Sequence, residues 1–184
     1  MKADWHRRYI EALERVPESI HAVRGIIVAY NTNIDGLKTV DGRWLSQLLA
    51  EDAELKRRVA AKWEEAPGEI NDLSDLIAAL LYHMKRGIGG ERLIFAESVF
   101  HWLSQAFGLG EFRMGGQTGI MSNVLSSLGI PLVVPHVAQL PRAQAELFDD
   151  QERTRIPVTG DKGIVFARPI DAAREGDRQL VHWI

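Results

Sequence analysis

The sequence predicts an α/β fold, with a mainly parallel sheet lying under helices and a smaller part that is richer in strands. Gly25-Ile26-Ile27-Val28-Ala29-Tyr30 is an apolar run without polar alternation, the pattern of a strand covered on both faces, as in parallel sheets. Apolar residues at helical spacing fill most of the chain up to residue 148. From Arg153 the pattern changes to short strands separated by turn-rich segments.

Taken in order, Trp5, Tyr9, Ile10, Leu13 and Val16 mark a helix that Pro17 is expected to close. The strand at 25–30 then breaks into the polar turn Asn31-Thr32-Asn33-Ile34-Asp35-Gly36. Trp44, Leu45, Leu48, Leu49, Leu55, Val59 and Trp63 describe an amphipathic helix or helix pair, ended by Pro67-Gly68. Asn71 or Asp72 caps a further helix with Leu73, Leu76, Ile77, Leu80, Leu81 and Met84 on one stripe. Lys85-Arg86-Gly87 ends it, with cations in the last turn and a glycine beyond. After the connector Gly87-Ile88-Gly89-Gly90, the residues Val99, Phe100, Leu103 and Phe107 resume a helical stripe. Phe112-Arg113-Met114 leads into Gly115-Gly116-Gln117-Thr118-Gly119, and Ile120, Met121, Val124, Leu125 and Leu128 mark a helix closed by Gly129. A short buried strand is expected at 131–135, a helix at 138–148, and strands at 156–158, 163–167 and 179–184.

With 22 basic and 25 acidic residues the chain has a net charge of -3, which gives no bulk attraction to nucleic acid or an anionic membrane. It contains 0 cysteines, so disulfides, thiolate metal sites and a cysteine nucleophile are excluded. The first residues carry no uninterrupted apolar segment of signal-peptide type, and no apolar run reaches membrane-spanning length. A cytoplasmic location is the expectation. The apolar stretch Val181-His182-Trp183-Ile184 ends the chain within a strand, which suggests a chain cut before its fold is complete.

Two groups of residues could carry chemistry. Asn33 and Asp35 follow the end of the 25–30 strand, where ligands of doubly wound sheets sit. Asp35 can accept from vicinal hydroxyls and Asn33 can both donate and accept, a combination that suits a polyol. A plain Asx-turn, bonding only its own backbone, is the alternative. Gly115, Gly116 and Gln117 stand at the head of the helix containing 120–128, where glycines let a ligand approach backbone N–H groups. The spacing is neither a Rossmann fingerprint nor a P-loop, and tight helix packing is the alternative there. Asp41, Glu69, Asn71, Asp72, Glu91 and Glu97 lie near expected loops, mostly as solvated helix ends. His182 reads as an interior histidine of an apolar strand, and no metal ligand set is assigned.

The strand ending in Tyr30-Asn31-Thr32-Asn33-Ile34-Asp35, followed by Arg113-Met114-Gly115-Gly116-Gln117-Thr118-Gly119-Ile120-Met121-Ser122-Asn123-Val124-Leu125, resembles the ADP-dependent glucokinase/phosphofructokinase family. The likeness runs from about residue 5 to residue 184, where Val181-His182-Trp183-Ile184 resembles the start of a family strand. It implies a ribokinase-like fold, with a large domain at 1–37 and 101–150 and a smaller sheet-containing lid at 38–100 and 151–184. It also implies transfer of the β-phosphoryl of ADP, with Mg2+, to glucose or fructose 6-phosphate. By motif, Asn33, Asp35, Gly115, Gly116, Gln117 and His182 match sugar contacts. The family's catalytic aspartate, nucleotide pocket and metal-positioning acids match nothing within these 184 residues, so the base is expected beyond residue 184 and the chain alone is expected to be inactive. Where glucose-using members carry a glutamate, this chain offers Asn71 and Asp72 with Glu69 nearby, which tilts the expectation toward fructose 6-phosphate. A sugar or nucleotide sensor, or a subunit completed by another chain through its last strand, is the alternative function.

Overall fold

The computed structural model describes residues 4–107, 111–174 and 176, which form two units. One comprises the described residues up to Asp35 and those from Arg113 onward; the other is Gly36–Phe112. His182 and the strand expected at 179–184 lie outside the described residues.

The first unit begins with α1 (Trp5–Ile20), capped by the Asp4 side chain, which accepts from the Arg7 N–H. Pro17 lies inside this helix rather than closing it, because the proline φ is helical and only one N–H is lost, close to a terminus. Strand β1 (Ile26–Val28) pairs in parallel with β4 (Val133–Pro135), Ile26 facing Val133 and Val28 facing Pro135. On its other side Val133 bonds Arg153 and Arg155 (2.9 Å each), and the parallel order continues through Thr154. Val28, Ile130 and Val133 form a core with Ile20, Val23 and Leu125 packed against it.

The strand β1 is parallel, as expected, but it is not covered on both faces: Ile27 is 78% exposed. Helix α6 (Gln117–Ser127) shows a related departure. Its buried face is the small one, Thr118, Gly119, Ser122 and Ser126, whereas Ile120, Met121, Val124 and Leu128 are exposed. Small residues let the helix backbone come close, and at Gly119 an added Cβ would lie 2.5 Å from Met114 Sδ. Close approach therefore decides the orientation here, over the width of the apolar stripe.

The antiparallel pair β5 (Ile156–Gly160) and β6 (Gly163–Ala167) joins this same unit. Ile156 is buried with Met114, Leu140, Ala145, Phe148 and Ala172. This corrects the grouping of 151–184 with 38–100 for its described part. The change to closely spaced strands marks a hairpin whose first strand starts beside β4, not a passage to another domain. The expected helix at 138–148 is reduced to α7 (Arg142–Ala145), and a short α8 (Pro169–Ala172) follows β6.

The second unit is mostly helical. The expected pair appears as α2 (Gly42–Glu51) and α3 (Ala53–Ala60), with Asp41 and Asp52 as caps. Helix α4 (Leu73–Arg86) follows its sequence signals closely, from the Asp72–Asp75 capping box to Gly87 at φ 63°. The carboxylate of Asp72 accepts from Ser74 and Asp75 N–H groups, the Ser74 hydroxyl and Arg58 Nη2 (2.5 Å). Lys62 Nζ lies 2.6 Å from Asp75 and 3.5 Å from Asp72. Burial pushes the Asp72 carboxyl up, but the hydrogen bonds from Ser74 and Asp75 and the Lys62 charge outweigh it and hold the pKa at about 2. Helix α5 (Glu97–Trp102) ends in a π-helical turn, Leu103–Phe107. Residues 101–112 thus belong with this unit rather than with 1–37.

Strands β2 (Asn33–Leu37) and β3 (Glu111–Gly115) pair with each other. The polar segment expected as a turn is therefore a turn only as far as Thr32. Tyr30, at φ 106°, is the non-glycine residue with positive φ among those described, and the chain changes direction there.

Candidate functional site

The first unit brings both sequence-predicted groups together. On β2 the side chains at alternate positions share a face, so Asn31, Asn33 and Asp35 line up along the strand and the residues before it. Asn31 Nδ2 donates to Asn33 Oδ1 (3.3 Å), and Asn33 Nδ2 donates to Asp35 Oδ1 (2.5 Å). The other side of this row is the backbone at the end of β3. A Cβ on Gly115 would stand 2.5 Å from Asp35 Cγ and closer still to the Asn33 amide. One on Gly116 would lie 2.6 Å from Asn33 Oδ1 and against the Asn31 carbonyl.

Gly116 is the N-cap of α6, at φ 74° and ψ 152°, a conformation essentially confined to glycine. No side chain caps this helix within its own turn. Instead the Gln117 N–H donates to Asn31 Oδ1 (3.3 Å) and the Thr118 N–H donates to the Asn31 carbonyl (3.0 Å). Helix α6 is thus tied to the end of β1 through one residue. Gln117 itself is exposed, Asn33 is half-buried and Asp35 is exposed, so an amide and a carboxylate meet solvent beside a glycine-lined backbone. The arrangement can donate to and accept from a ligand with several hydroxyls.

Asn33, Asp35, Gly115, Gly116 and Gln117 are therefore brought together, and His182 lies outside the described residues. The Asx-turn alternative for Asn33 and Asp35 is not what is observed, since they lie on a paired strand and bond each other. Helix packing does explain Gly119, whose missing Cβ makes room for Met114 and Thr32. Asp41 and Asp72 are spent as helix caps. A recess lined by Leu37, Lys38, Thr39 and Glu111 belongs to Gly36–Phe112 and contains none of the site residues.

A parallel β1–β4 pair under helices, with a polar, glycine-opened cluster just beyond the end of β1, defines an α/β protein, and ligands of such sheets sit beyond the carboxyl ends of the strands. Residues 24–184 match the family described as ADP-specific Phosphofructokinase/Glucokinase conserved region. The chain is 33% identical over 183 residues to an ADP-specific phosphofructokinase of Methanosarcina acetivorans, covering 98% of this chain and 36% of that protein. It is 40% identical over 182 residues to an ADP-dependent glucose/glucosamine kinase of Pyrococcus abyssi, covering 98% of this chain and 38% of that one. Among solved structures, an ADP-dependent kinase in complex with fructose-6-phosphate and ADPbetaS superposes with a TM-score of 0.71 at 30% identity, over 97% of this chain and 33% of that chain. The chain belongs to the ADP-specific phosphofructokinase/glucokinase family. It spans about a third of the length of the relatives it matches.

Proposed function

We propose that this chain supplies the sugar-binding part of a cytoplasmic, ADP-dependent sugar kinase with a ribokinase-like fold. The observation that carries the reading is the meeting of Asn33 and Asp35 with the backbone of Gly115 and Gly116, two motifs separated by about eighty residues of sequence. Asp35 would accept from sugar hydroxyls, Asn33 would donate and accept, and the exposed Gln117 amide would contact the ring substituents beside Gly115 and Gly116. His182 is retained as a proposed sugar contact on the strength of its motif. Gly36–Phe112 would form part of the smaller lid domain.

The substrate class is a hexose or hexose phosphate, glucose or fructose 6-phosphate. Asp72 is fully engaged by Arg58, Lys62, Ser74 and Asp75, so any acidic contact from that region would fall to the exposed Glu69. ADP is the proposed phosphoryl donor. Mg2+ would offset charge on its phosphates. Among the described residues no three acidic or histidine side chains converge as metal ligands, so the residues that hold the ion are proposed to lie elsewhere in the kinase. What this chain does is bind and orient the accepting hydroxyl, and positioning is a large part of catalysing such a transfer.

Asp35→Ala in the complete kinase tests the reading. A carboxylate accepting hydroxyl donors contributes about 1.5–3 kcal/mol, so sugar affinity should fall by roughly ten- to a hundredfold while ADP affinity holds. Calorimetric titration with glucose and with fructose 6-phosphate measures it. Unchanged affinity for both sugars would reject the site.

A further inference from the structure

We propose that Asn31 is a positioning residue of the sugar site: it sets the direction in which the Asn33 amide and, through it, the Asp35 carboxylate present their hydrogen-bonding atoms. The inference rests on the sugar-site reading above. A backbone N–H can only donate, so the Gln117 N–H, 3.3 Å away, fixes the Asn31 oxygen on its side. The Asn31 Nδ2 is then committed to the other side, where it donates to Asn33 Oδ1 at 3.3 Å. This commits Asn33 Nδ2 in turn to Asp35 Oδ1 at 2.5 Å and leaves Asp35 Oδ2 for a hydroxyl. Each amide has one orientation consistent with the link before it, and the sequence of links starts at a donor that cannot be reversed.

The main chain of Asn31 serves the same end. Its carbonyl accepts from the Thr118 N–H at 3.0 Å and lies where a Cβ of Gly116 would be. Asn31 thus holds the head of α6 and the row on β2 in one register, without needing to touch the sugar.

Asn31→Asp tests this, because it keeps the shape and the acceptor for Gln117 but removes the donor to Asn33. In the complete kinase, calorimetric titration with glucose and fructose 6-phosphate should show about tenfold weaker sugar binding, with ADP affinity and the ligand-free melting temperature unchanged. Added to Asp35→Ala, the same substitution should cost clearly less than it does alone, since it acts largely through Asp35 and only the orientation of Asn33 is left to lose. Unchanged sugar affinity, a lowered melting temperature without lost affinity, or an additive loss in the Asp35→Ala background would each overturn the proposal. If Asp35→Ala itself leaves both sugars' affinities unchanged, the sugar-site reading fails and this inference with it. Should the aspartate variant not fold, Asn31→Ala removes the same link without adding charge; because it also removes the acceptor of the Gln117 N–H, its readouts are the weakened sugar affinity and the less than additive loss in the Asp35→Ala background.

Discussion

Gly116 shows most directly how one residue determines the site. Its φ of 74° with ψ of 152° suits glycine alone, and a Cβ would also press on the carbonyl of Asn31. Gly116→Ala is therefore expected to destabilise the fold by about 1–3 kcal/mol from backbone strain, with further loss as the Asn31 links to Gln117 and Thr118 part. Urea denaturation followed by intrinsic tryptophan fluorescence measures it, and a variant as stable as the parent would show that the contact relaxes at no cost. At this scale the sequence was informative about identity and less so about surroundings. Asn33, Asp35, Gly115, Gly116 and Gln117 are legible as candidates, and they lie together, but Asn31, which bonds both groups, reads as one more turn residue. Its hydrogen bonds reach across some eighty-six positions, and nothing local in the sequence announces a partner so distant.

Among the elements, α4 was the most legible because its signals are local: a capping box, one apolar stripe, cations in the last turn and Gly87 beyond. Its N-terminus also makes the clearest pH prediction. The Asp72 pKa of about 2 lies below the ordinary aspartate value, so the stabilisation is complete above the unfolded value and is lost as pH falls from about 4 through 2. Partial exposure of the carboxylate reduces its size to the order of 1 kcal/mol. Asp72→Asn, which can still cap, should lower stability at neutral pH by about that amount and flatten the decline between pH 4 and 2, as read from denaturation midpoints at several pH values. An unchanged slope would place the acid sensitivity elsewhere. Strand β2 and helix α6 were less legible. The segment Asn33–Leu37 mixes Asn33, Asp35 and Gly36 with two apolar residues, a weak strand signal, and its pairing with β3 makes it a strand. The outward turn of the apolar stripe on α6 follows from close backbone packing, which periodicity does not encode.

For the whole molecule, sequence does not decide which unit β5 and β6 join, because the same short-strand pattern serves a hairpin in either unit. Its place follows from the burial of Ile156 in one cluster with Met114, some forty residues earlier in the chain. The proposed division of labour makes a prediction at this scale. The 184 residues alone are expected to yield no sugar phosphate with ADP and Mg2+, since we propose that the nucleotide site and base lie outside these residues. Metal-dependent turnover by the purified chain in a coupled assay would refute that assignment. One feature of the backbone bears on how such a protein could be made more durable. Tyr30 holds φ at 106° with its side chain 82% exposed, so it carries backbone strain and contributes little packing. Such strain costs on the order of 1–3 kcal/mol, and glycine would relieve much of it. Tyr30→Gly should then raise the melting temperature, and an engineer seeking a hardier variant has an untapped margin at the bend leading into Asn31.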